Sequence, residues 1–251
     1  MELKLSGKKV LVTGSSRGIG RAIAEAMQKE GCLVAINGRN ESFLKSTAKK
    51  IGCAAAILGD MSYDKEAKRV VVEAINALDG LDILICNVGS GQSVPPGSET
   101  HEEWHRIFGL NLWSTISAVE AARKSLAAQG GVVICISSIC GIEVIPNAPI
   151  TYSVAKAALH AYIHGIARPL GKQGIRINAI AAGNIIFDGS VWHNKINENP
   201  DEVKKMLRRD VALAKFGSPE DVAQLTIFLA SSQSGFATGS VWSLDGGQIH
   251  S

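Results

Sequence analysis

The chain lacks the two features that would direct it into a membrane or out of the cell. None of its 251 residues belongs to a run of 18 or more apolar residues, the length that a helix needs to cross a bilayer. Its opening, Met-Glu-Leu-Lys-Leu-Ser-Gly-Lys-Lys, has no apolar core of a signal peptide. We therefore expect a cytoplasmic protein without a membrane partner.

The chain also has few cysteines and a small net charge. The five cysteines are an odd number and include no Cys-x-x-Cys pair. Four of them lie in or beside apolar runs, so we predict reduced interior residues rather than disulfide partners or metal ligands. The net charge of +3 is small and dispersed, which argues against binding of nucleic acid. We expect neither a bound metal nor a nucleic-acid partner.

Short apolar runs alternate with longer amphipathic segments along the whole chain. This alternation predicts an α/β fold: a single-domain, doubly wound Rossmann fold over residues 1–251, with about seven parallel strands and helices on both faces. Ligands bind such a sheet at the carboxyl ends of its strands. The predicted strands are 9–13, 33–37, 54–58, 81–86, 131–137, 176–181 and 240–244, and the predicted helices are 18–30, 41–50, 63–78, 101–128, 151–171 and 219–230.

A glycine-rich turn follows the first predicted strand and leads directly into a helix. It reads Thr13-Gly14-Ser15-Ser16-Arg17-Gly18-Ile19-Gly20. Glycines permit a tight turn and a close backbone approach, and a helix N-terminus offers free N–H groups to an anion. The turn therefore predicts a phosphate cradle, although its spacing differs from the G-x-G-x-x-G fingerprint.

The end of the second predicted strand carries no acidic residue. A site for NAD places an Asp or Glu there to accept from the ribose 2′-hydroxyl, whereas this chain has Asn37-Gly38-Arg39-Asn40. Arg39 can pair with a 2′-phosphate through its planar guanidinium, and Arg17 adds a second cation. We predict NADP(H) in preference to NAD(H). The alternative is that both arginines are solvated surface residues.

Tyr152 and Lys156 stand four residues apart on a predicted helix, where they share one face. A positive charge beside a phenol favours phenolate, so Lys156 is predicted to lower the pKa of Tyr152. A serine at the end of the fifth predicted strand, Ser137 or Ser138, can hydrogen-bond a substrate oxygen. No G-x-S-x-G motif indicates a serine hydrolase.

In their order and spacing, these motifs resemble those of the short-chain dehydrogenase/reductase family, from about residue 6 to about residue 247. The family carries TGxxxGxG, an NNAG-like strand end, a helix Asn, a Ser, YxxxK and a distal PG. Here they read as residues 13–20, Cys86-Asn87-Val88-Gly89, Asn111, Ser138, Tyr152 with Lys156, and Ala182-Gly183.

The resemblance implies hydride transfer between a nicotinamide and a carbonyl or secondary alcohol. Ser138 would hold the substrate oxygen, Tyr152 would act as general acid/base, Lys156 would assist it and bind the nicotinamide ribose, and Asn111 would hold a water that links Lys156 to solvent. With the charge argument, it assigns cofactor binding to Gly14, Ser16, Arg17, Gly18, Ile19, Gly20, Arg39, Asp60, Met61, Asn87, Val88, Gly89, Tyr152, Lys156, Gly183 and Ile185. For Asp60 the alternative is a helix cap.

The chain departs from the family pattern near its C-terminal third. Ala182 replaces the family proline, and Phe187 cannot supply the usual threonine hydroxyl. Residues 188–215, rich in Asn, Lys and Trp, are predicted to form a substrate lid rather than a packed element. Three residues of the lid, Trp192, His193 and Lys195, either touch the substrate or pack among themselves.

The resemblance also implies a homo-oligomer, a dimer or a tetramer of about 222 symmetry. His160 and His164 would lie on a helix face that in this family often packs against another subunit.

Several functions remain open from the sequence. The resemblance makes a 3-oxoacyl thioester the nearest generic substrate, with other small ketones beside it, and a sugar or nucleotide-sugar is the rival. A catalytically silent NADP-binding sensor is a further alternative. His101-Glu102-Glu103-Trp104-His105 matches H-E-x-x-H and so also raises zinc hydrolysis.

Overall fold

A computed structural model describes residues 2–250, in which seven strands form one parallel sheet. The sheet order is β3-β2-β1-β4-β5-β6-β7, so the strand order reverses between β1 and β4. This order is that of a doubly wound Rossmann sheet and confirms the predicted fold class. The strands are β1 (Lys9–Val12), β2 (Leu33–Gly38), β3 (Ala55–Leu58), β4 (Ile83–Cys86), β5 (Val132–Ser138), β6 (Arg176–Ala182) and β7 (Val241–Leu244).

Helices connect the strands and cover both faces of the sheet. The α-helices described within residues 2–250 are α1 (Gly18–Lys29), α2 (Glu41–Ile51), α3 (Asp64–Leu78), α4 (His101–Phe108), α5 (Ser114–Ala127), α6 (Ile150–Gly171), α7 (Val191–Glu198), α8 (Pro200–Asp210) and α9 (Pro219–Ala230). None of them has the length and apolarity of a bilayer-spanning helix.

The alternation of side chains along each strand divides the interior into two apolar cores. In β1, Val10 and Val12 pack with α1, α2 and α9, while Leu11 packs with α3, α5 and α6 on the opposite face. All three residues are completely buried. A strand covered on both faces needs apolar residues at every position, which explains the continuous apolar runs in the sequence.

The helix predicted over residues 101–128 is helical without a break from His101 to Ala127, but a π-helical turn over Gly109–Trp113 lies between α4 and α5. Two polar side chains donate to backbone carbonyls at this turn. The Asn111 amide donates to the Ile107 carbonyl at 3.0 Å, and the Ser114 hydroxyl donates to the Leu110 carbonyl at 2.7 Å. Such π-turns are frequent at functional sites.

The segment predicted as an irregular lid contains two helices, α7 and α8. Ser190 caps α7 by accepting from the His193 backbone N–H, and Asn199 caps α8 by accepting from Glu202. Asn199-Pro200 is a recognisable helix start, with a capping side chain followed by proline at the first position. The sequence therefore held a signal for α8.

Candidate active site

A cleft of about 1680 Å³ runs along the carboxyl ends of the strands. One end is lined by the turn between β1 and α1, and the other by residues of β5, α6 and the α7–α8 segment. The cleft therefore crosses the point where the strand order reverses, which is where this class of sheet binds its ligands.

The glycine turn is held in place by two asparagines from neighbouring strands. Asn37 accepts from the Gly14 backbone N–H at 3.1 Å and donates to the carbonyls of Ile57 and Gly59. Asn87 donates from its side chain to the carbonyls of Thr13 and Gly14. The side-chain amide of Asn87 is thus occupied by the turn. Asn87 lines the cleft, but its amide N–H groups already have partners.

The N-terminus of α1 is suited to an anion. Arg17 is the N-cap residue, but its side chain makes no capping hydrogen bond, and the first turn contains no acidic residue. The first backbone N–H groups of a helix have no partner within the helix and carry a partial positive charge. Ser16, Arg17 and Ile19 line the cleft beside them. The turn can therefore hold a phosphate group, as predicted.

Gly18 and Gly20 lie where neighbouring groups leave no room for a side chain. A Cβ on Gly18 would lie 2.6 Å from the Phe187 ring, and Gly18 has a left-handed φ of +57°. A Cβ on Gly20 would lie 2.6 Å from the Gly14 carbonyl oxygen. These glycines allow close packing around the turn, and their contact with the cofactor stays a prediction.

Three charged residues line the part of the cleft that holds the glycine turn and the ends of β2 and β3, and two of them form a pair. Arg17, Arg39 and Asp60 all line it, and an Arg39 guanidinium nitrogen lies 3.6 Å from an Asp60 carboxylate oxygen. Burial works to raise the pKa of Asp60, but hydrogen bonds from Ser62 and the charge of Arg39 outweigh it and lower the pKa. Asp60 does not cap α3, whose N-cap is Tyr63, so the alternative role for Asp60 is wrong.

The remaining residues assigned to the cofactor, apart from Tyr152 and Lys156, lie along the floor of the cleft. Met61 is buried after β3, and Val88 and Gly89 follow β4. Gly89 lies close to the Lys156 ammonium, since a Cβ there would be 3.2 Å from it. Gly183 and Ile185 follow β6 and line the same cleft.

Tyr152 and Lys156 lie on the cleft side of α6, with the ammonium 5.8 Å from the centre of the phenol ring. Burial raises the pKa of Tyr152 to about 12, and the Ser138 side chain opposes this only in part. Burial also lowers the pKa of Lys156 to about 8. The direction for Tyr152 is opposite to the predicted one, because loss of solvation dominates its pKa.

Lys156 is anchored by β5. Its ammonium donates to the Ile136 carbonyl at 3.1 Å, and its side chain is buried. An ammonium has three donors, so the pairing with Ile136 leaves two for a ligand or a water in the cleft.

Ser138 and Ser137 are distinguished by their partners. Ser138 ends β5, and its hydroxyl oxygen accepts from the Cys140 backbone N–H at 3.2 Å, which leaves its own proton available to donate. The Ser137 hydroxyl instead lies 2.7 Å from the Nε2 atom of His160. Successive strand residues point to opposite faces. Ser138 is therefore the serine beside Tyr152.

His160 is buried in the fold, contrary to its predicted place on an intersubunit face. Besides contacting Ser137, its Nδ1 atom lies 3.2 Å from the Gly141 carbonyl oxygen. Burial lowers the pKa of His160 to about 4, so the ring is neutral at pH 7. His164, one helical turn later, is exposed, with its Nδ1 atom 2.9 Å from the Gly239 carbonyl oxygen.

Asn111 is completely buried in the π-turn and does not line the cleft. Its side-chain oxygen accepts from the Ser90 N–H at 3.1 Å, and its amide nitrogen donates to the carbonyls of Ser90 and Ile107. Both ends of the side chain are therefore engaged. A water held by Asn111 would have to bind its backbone carbonyl.

The α7–α8 segment contributes part of the predicted substrate wall. Trp192 and Lys195 line the cleft, with the Lys195 ammonium 4.7 Å from the Trp192 ring centre. His193 does not line the cleft and lies 3.7 Å from the carboxylate of Asp188. The lid residues thus contact each other, and two of the three also face the cleft.

The C-terminal segment also reaches the cleft, which the sequence did not predict. Gln248 and His250 line it, and the His250 backbone N–H donates to the Glu143 carboxylate at 3.1 Å. Gln248 lies beside Gly183, since a Cβ there would be 3.3 Å from its side-chain oxygen. No local motif marks these residues, because their place depends on the pairing of β6 with β7.

The H-E-x-x-H motif falls on α4, where the Nε2 atoms of His101 and His105 lie 2.8 Å apart. Within residues 2–250, no group of three or more His, Cys, Asp or Glu side chains is arranged to hold a metal. The five cysteines, all in this range, form no disulfide. The zinc-hydrolase alternative therefore lacks a third ligand.

The fold and the cleft together define the class of protein. A doubly wound parallel sheet with a glycine turn at the first helix N-terminus, beside a strand-order reversal, is the arrangement of dinucleotide-binding oxidoreductases. A tyrosine and a lysine at the other end of the cleft add the groups for proton transfer.

Comparisons with known proteins agree with this class. A family model described as enoyl-(acyl carrier protein) reductase matches residues 14–248. The 3-oxoacyl acyl-carrier-protein reductase of Aquifex aeolicus is 31% identical over 255 residues, which cover 99% of this chain and 100% of that protein. The chain belongs to the short-chain dehydrogenase/reductase family and is an NAD(P)-dependent oxidoreductase.

Solved structures are similar over the whole chain. L-sorbose reductase from Gluconobacter frateurii, complexed with NADPH and L-sorbose, is 27% identical with a TM-score of 0.92 and covers 100% of both chains. A 7α-hydroxysteroid dehydrogenase complexed with NADH and 7-oxo glycochenodeoxycholic acid is 26% identical with a TM-score of 0.90, covering 100% of this chain and 97% of that one.

Proposed function

We propose that this protein reduces the carbonyl group of a small molecule with NADPH, with Tyr152 as the proton donor. The observation that carries the proposal is the presence of Tyr152, Ser138 and Lys156 in one cleft with the glycine turn. When bound, the nicotinamide supplies the hydride.

The residues of the cleft fit a dinucleotide phosphate. The uncapped N-terminus of α1 suits the pyrophosphate, and Arg17 and Arg39 provide two cations for a 2′-phosphate. The structures of relatives include complexes with NADPH and with NADH. The preference for NADPH in this chain therefore rests on its own charges.

In the proposed reaction the carbonyl gains a hydride on carbon and a proton on oxygen. The Ser138 hydroxyl donates a hydrogen bond to the carbonyl oxygen and holds it near Tyr152. Tyr152 then transfers its phenolic proton to that oxygen, which gives the alcohol. Lys156, when charged, stabilises the phenolate that remains.

The raised pKa of Tyr152 gives the protonated state that a proton donor needs. With a pKa of about 12, the phenol keeps its proton at pH 7 and is able to donate it. Oxidation of an alcohol would need the phenolate first. The same residues argue against a catalytically silent sensor, because binding alone does not require a half-buried Tyr and a buried Lys at the cleft.

Two substrate classes follow from the relatives and the cleft. The Aquifex aeolicus relative is named for a 3-oxoacyl substrate, which makes a 3-oxoacyl thioester or another small ketone the first candidate. A keto-sugar is the second. The polar residues Glu143, Asn147 and Asn184 line the cleft and favour a hydroxylated substrate, and the Gluconobacter frateurii enzyme was solved with L-sorbose.

The test is oxidation of NADPH, followed by absorbance, with 3-oxoacyl thioesters, keto-sugars and simple ketones. Tyr152→Phe should bind NADPH normally but lose about 10²–10⁴-fold in turnover, the usual contribution of a positioned proton donor. Tyr162→Phe is the matched control, because Tyr162 lies on the same helix outside the cleft. Near-normal turnover of Tyr152→Phe would refute the assignment.

We further infer that residues 188–215 act as a lid over the substrate and that the chain assembles with copies of itself. Proteolysis with and without NADPH and substrate tests the lid, which should be cut more slowly when they are bound. Light scattering of the purified protein tests the assembly, and a monomer would contradict it.

A further inference from the structure

One polar atom beside the cleft has no partner. The side-chain oxygen of Gln248 is shielded from solvent and accepts no hydrogen bond, and it is the only such buried side-chain nitrogen or oxygen within residues 2–250. Buried polar groups in folded proteins nearly always have a partner, so an exception calls for a physical reason. Because Gln248 also lines the cleft, a bound ligand can supply that partner.

The backbone that carries Gln248 is held firmly. The Asp245 carboxylate accepts from the backbone N–H groups of Gly247, Gln248 and Ile249 at 2.9–3.1 Å. Gly246 and Gly247 both have left-handed φ values, of +67° and +75°, which glycine adopts without strain. The turn therefore places Gln248 at one position, as a ligand-binding residue requires.

The lid supports the same turn. The backbone N–H groups of Ala212 and Leu213 donate to the carbonyls of Gly247 and Gly246. On the other side, the Gly183 N–H donates to the Leu244 carbonyl at 3.0 Å and brings the end of β6 against Gln248. The Gln248 amide thus sits where the lid, the end of β6 and the C-terminal segment meet.

The amide oxygen can turn toward the cleft without moving this backbone. The terminal torsion of a glutamine side chain has a broad profile, so the amide rotates easily. Glu143 and Asn184 line the cleft as well, and both add hydrogen-bonding capacity. The oxygen is the atom of this amide without a partner, and an amide oxygen only accepts hydrogen bonds, so a ligand that satisfies it brings an O–H or N–H donor to this point.

We propose that Gln248 determines substrate specificity by accepting a hydrogen bond from a hydroxyl next to the reacting carbonyl, so that the substrate is a hydroxylated ketone. This inference rests on the proposed function and narrows its substrate class. An acyl chain or a plain ketone would leave the amide oxygen without a partner. Sites built to bond a substrate hydroxyl reject the analogue that lacks it much more strongly than a merely apolar pocket could.

The experiment compares hydroxyacetone with butanone, which differ only by a hydroxyl in place of a methyl. We expect wild-type kcat/KM with NADPH to favour hydroxyacetone by about tenfold or more, and Gln248→Met to reduce that ratio about tenfold. Gln248→Glu keeps an acceptor of the same size and should retain most of the preference. Gln129→Met, at an exposed position outside the cleft, should leave the ratio unchanged.

The outcomes separate this inference from the proposed function. Equal use of both ketones by the wild type, or an unchanged ratio in Gln248→Met, overturns the role of Gln248 while carbonyl reduction stands. A raised KM for NADPH in Gln248→Met, with no change in the ratio, would mean that the donor is the nicotinamide amide and also overturns it. Reduction of 3-oxoacyl thioesters but of neither ketone overturns the hydroxylated substrate. No NADPH oxidation with any carbonyl overturns both proposals.

A thermal melt of each variant shows whether it is folded. If Gln248→Met is unfolded, Gln248→Asn replaces it. Asparagine has the same amide one methylene shorter, so its oxygen falls short of the hydroxyl, and it should reduce the ratio about tenfold as well. An unchanged ratio in folded Gln248→Asn overturns the proposal.

Discussion

Replacing Arg39 by glutamine tests the origin of the proposed cofactor preference. The Arg39 side chain is 71% exposed and lies 3.6 Å from Asp60, so its charge is partly screened and partly shared. A hydrogen bond between charged groups contributes about 1.5–3 kcal/mol. Because of the exposure we take the lower end, about 1.5 kcal/mol, which is roughly a tenfold change in affinity.

Arg39→Gln should therefore raise the KM for NADPH about tenfold and leave the KM for NADH nearly unchanged, because NADH has no 2′-phosphate. Initial rates with each cofactor at low and high salt measure the effect. In the wild type, added salt should raise the KM for NADPH more than that for NADH, since screening weakens an exposed charge pair.

Arg21→Gln is the matched control. Arg21 lies on α1 and pairs with Glu25 at 2.8 Å, outside the cleft. Arg21→Gln removes the same charge at a short distance from Arg17, and it should change neither the KM for NADPH nor the KM for NADH. Equal losses for NADPH and NADH in Arg39→Gln, or faster wild-type turnover with NADH at equal low concentrations, would refute the reasoning.

Three further predictions concern the interior of the site. Turnover in the reductive direction should fall as the pH rises through about 8, because Lys156 then loses its charge. His160→Leu leaves the Ser137 hydroxyl and the Gly141 carbonyl without partners, and should lower the free energy of unfolding by about 2–4 kcal/mol. Gly18→Ala should weaken NADPH binding for two reasons: residue 18 has a left-handed φ, and the new methyl group would contact the Phe187 ring. Adding Phe187→Ala removes only the second cause, so it should restore only part of the lost NADPH affinity.

Each of these has a direct measurement. A rate that is flat between pH 7 and 9.5 would contradict the role of Lys156. Denaturant unfolding measures the loss of stability in His160→Leu. The substitution should also change the pH dependence of stability. With a folded pKa of about 4, His160 is protonated first in the unfolded chain, so wild-type stability is lost as the pH falls from about 6.5 toward 4.

The variant should lose less stability over that range, and an identical pH dependence would contradict the prediction. For Gly18, titration of NADPH into the single and double variants gives the coupling between Gly18→Ala and Phe187→Ala in NADPH affinity. Full recovery in the double variant would assign the whole effect to the aromatic contact, whereas no recovery would assign it to the backbone.

Local patterns in the sequence were sufficient for the sheet and for one end of the cleft. Periodicity separates strands from helices because it reflects which faces are buried, and the continuous apolar run Val10–Val12 indicates burial on both faces. The glycine turn is equally local, since the tight turn and the helix start lie within one short segment. The pair Tyr152 and Lys156 needs only helical spacing to share a face.

Only the tertiary structure decided which groups act on one another across the chain. The raised pKa of Tyr152 depends on how much water the surrounding elements exclude, which spacing cannot show. The engagement of Ser137 by His160, the contact of Phe187 with Gly18 and the place of Gln248 beside Gly183 all join segments brought together by the order of the strands. Sequence alone determined the seven strands and most of the helices and predicted the residues proposed to carry the chemistry; packing decided their solvation and their partners.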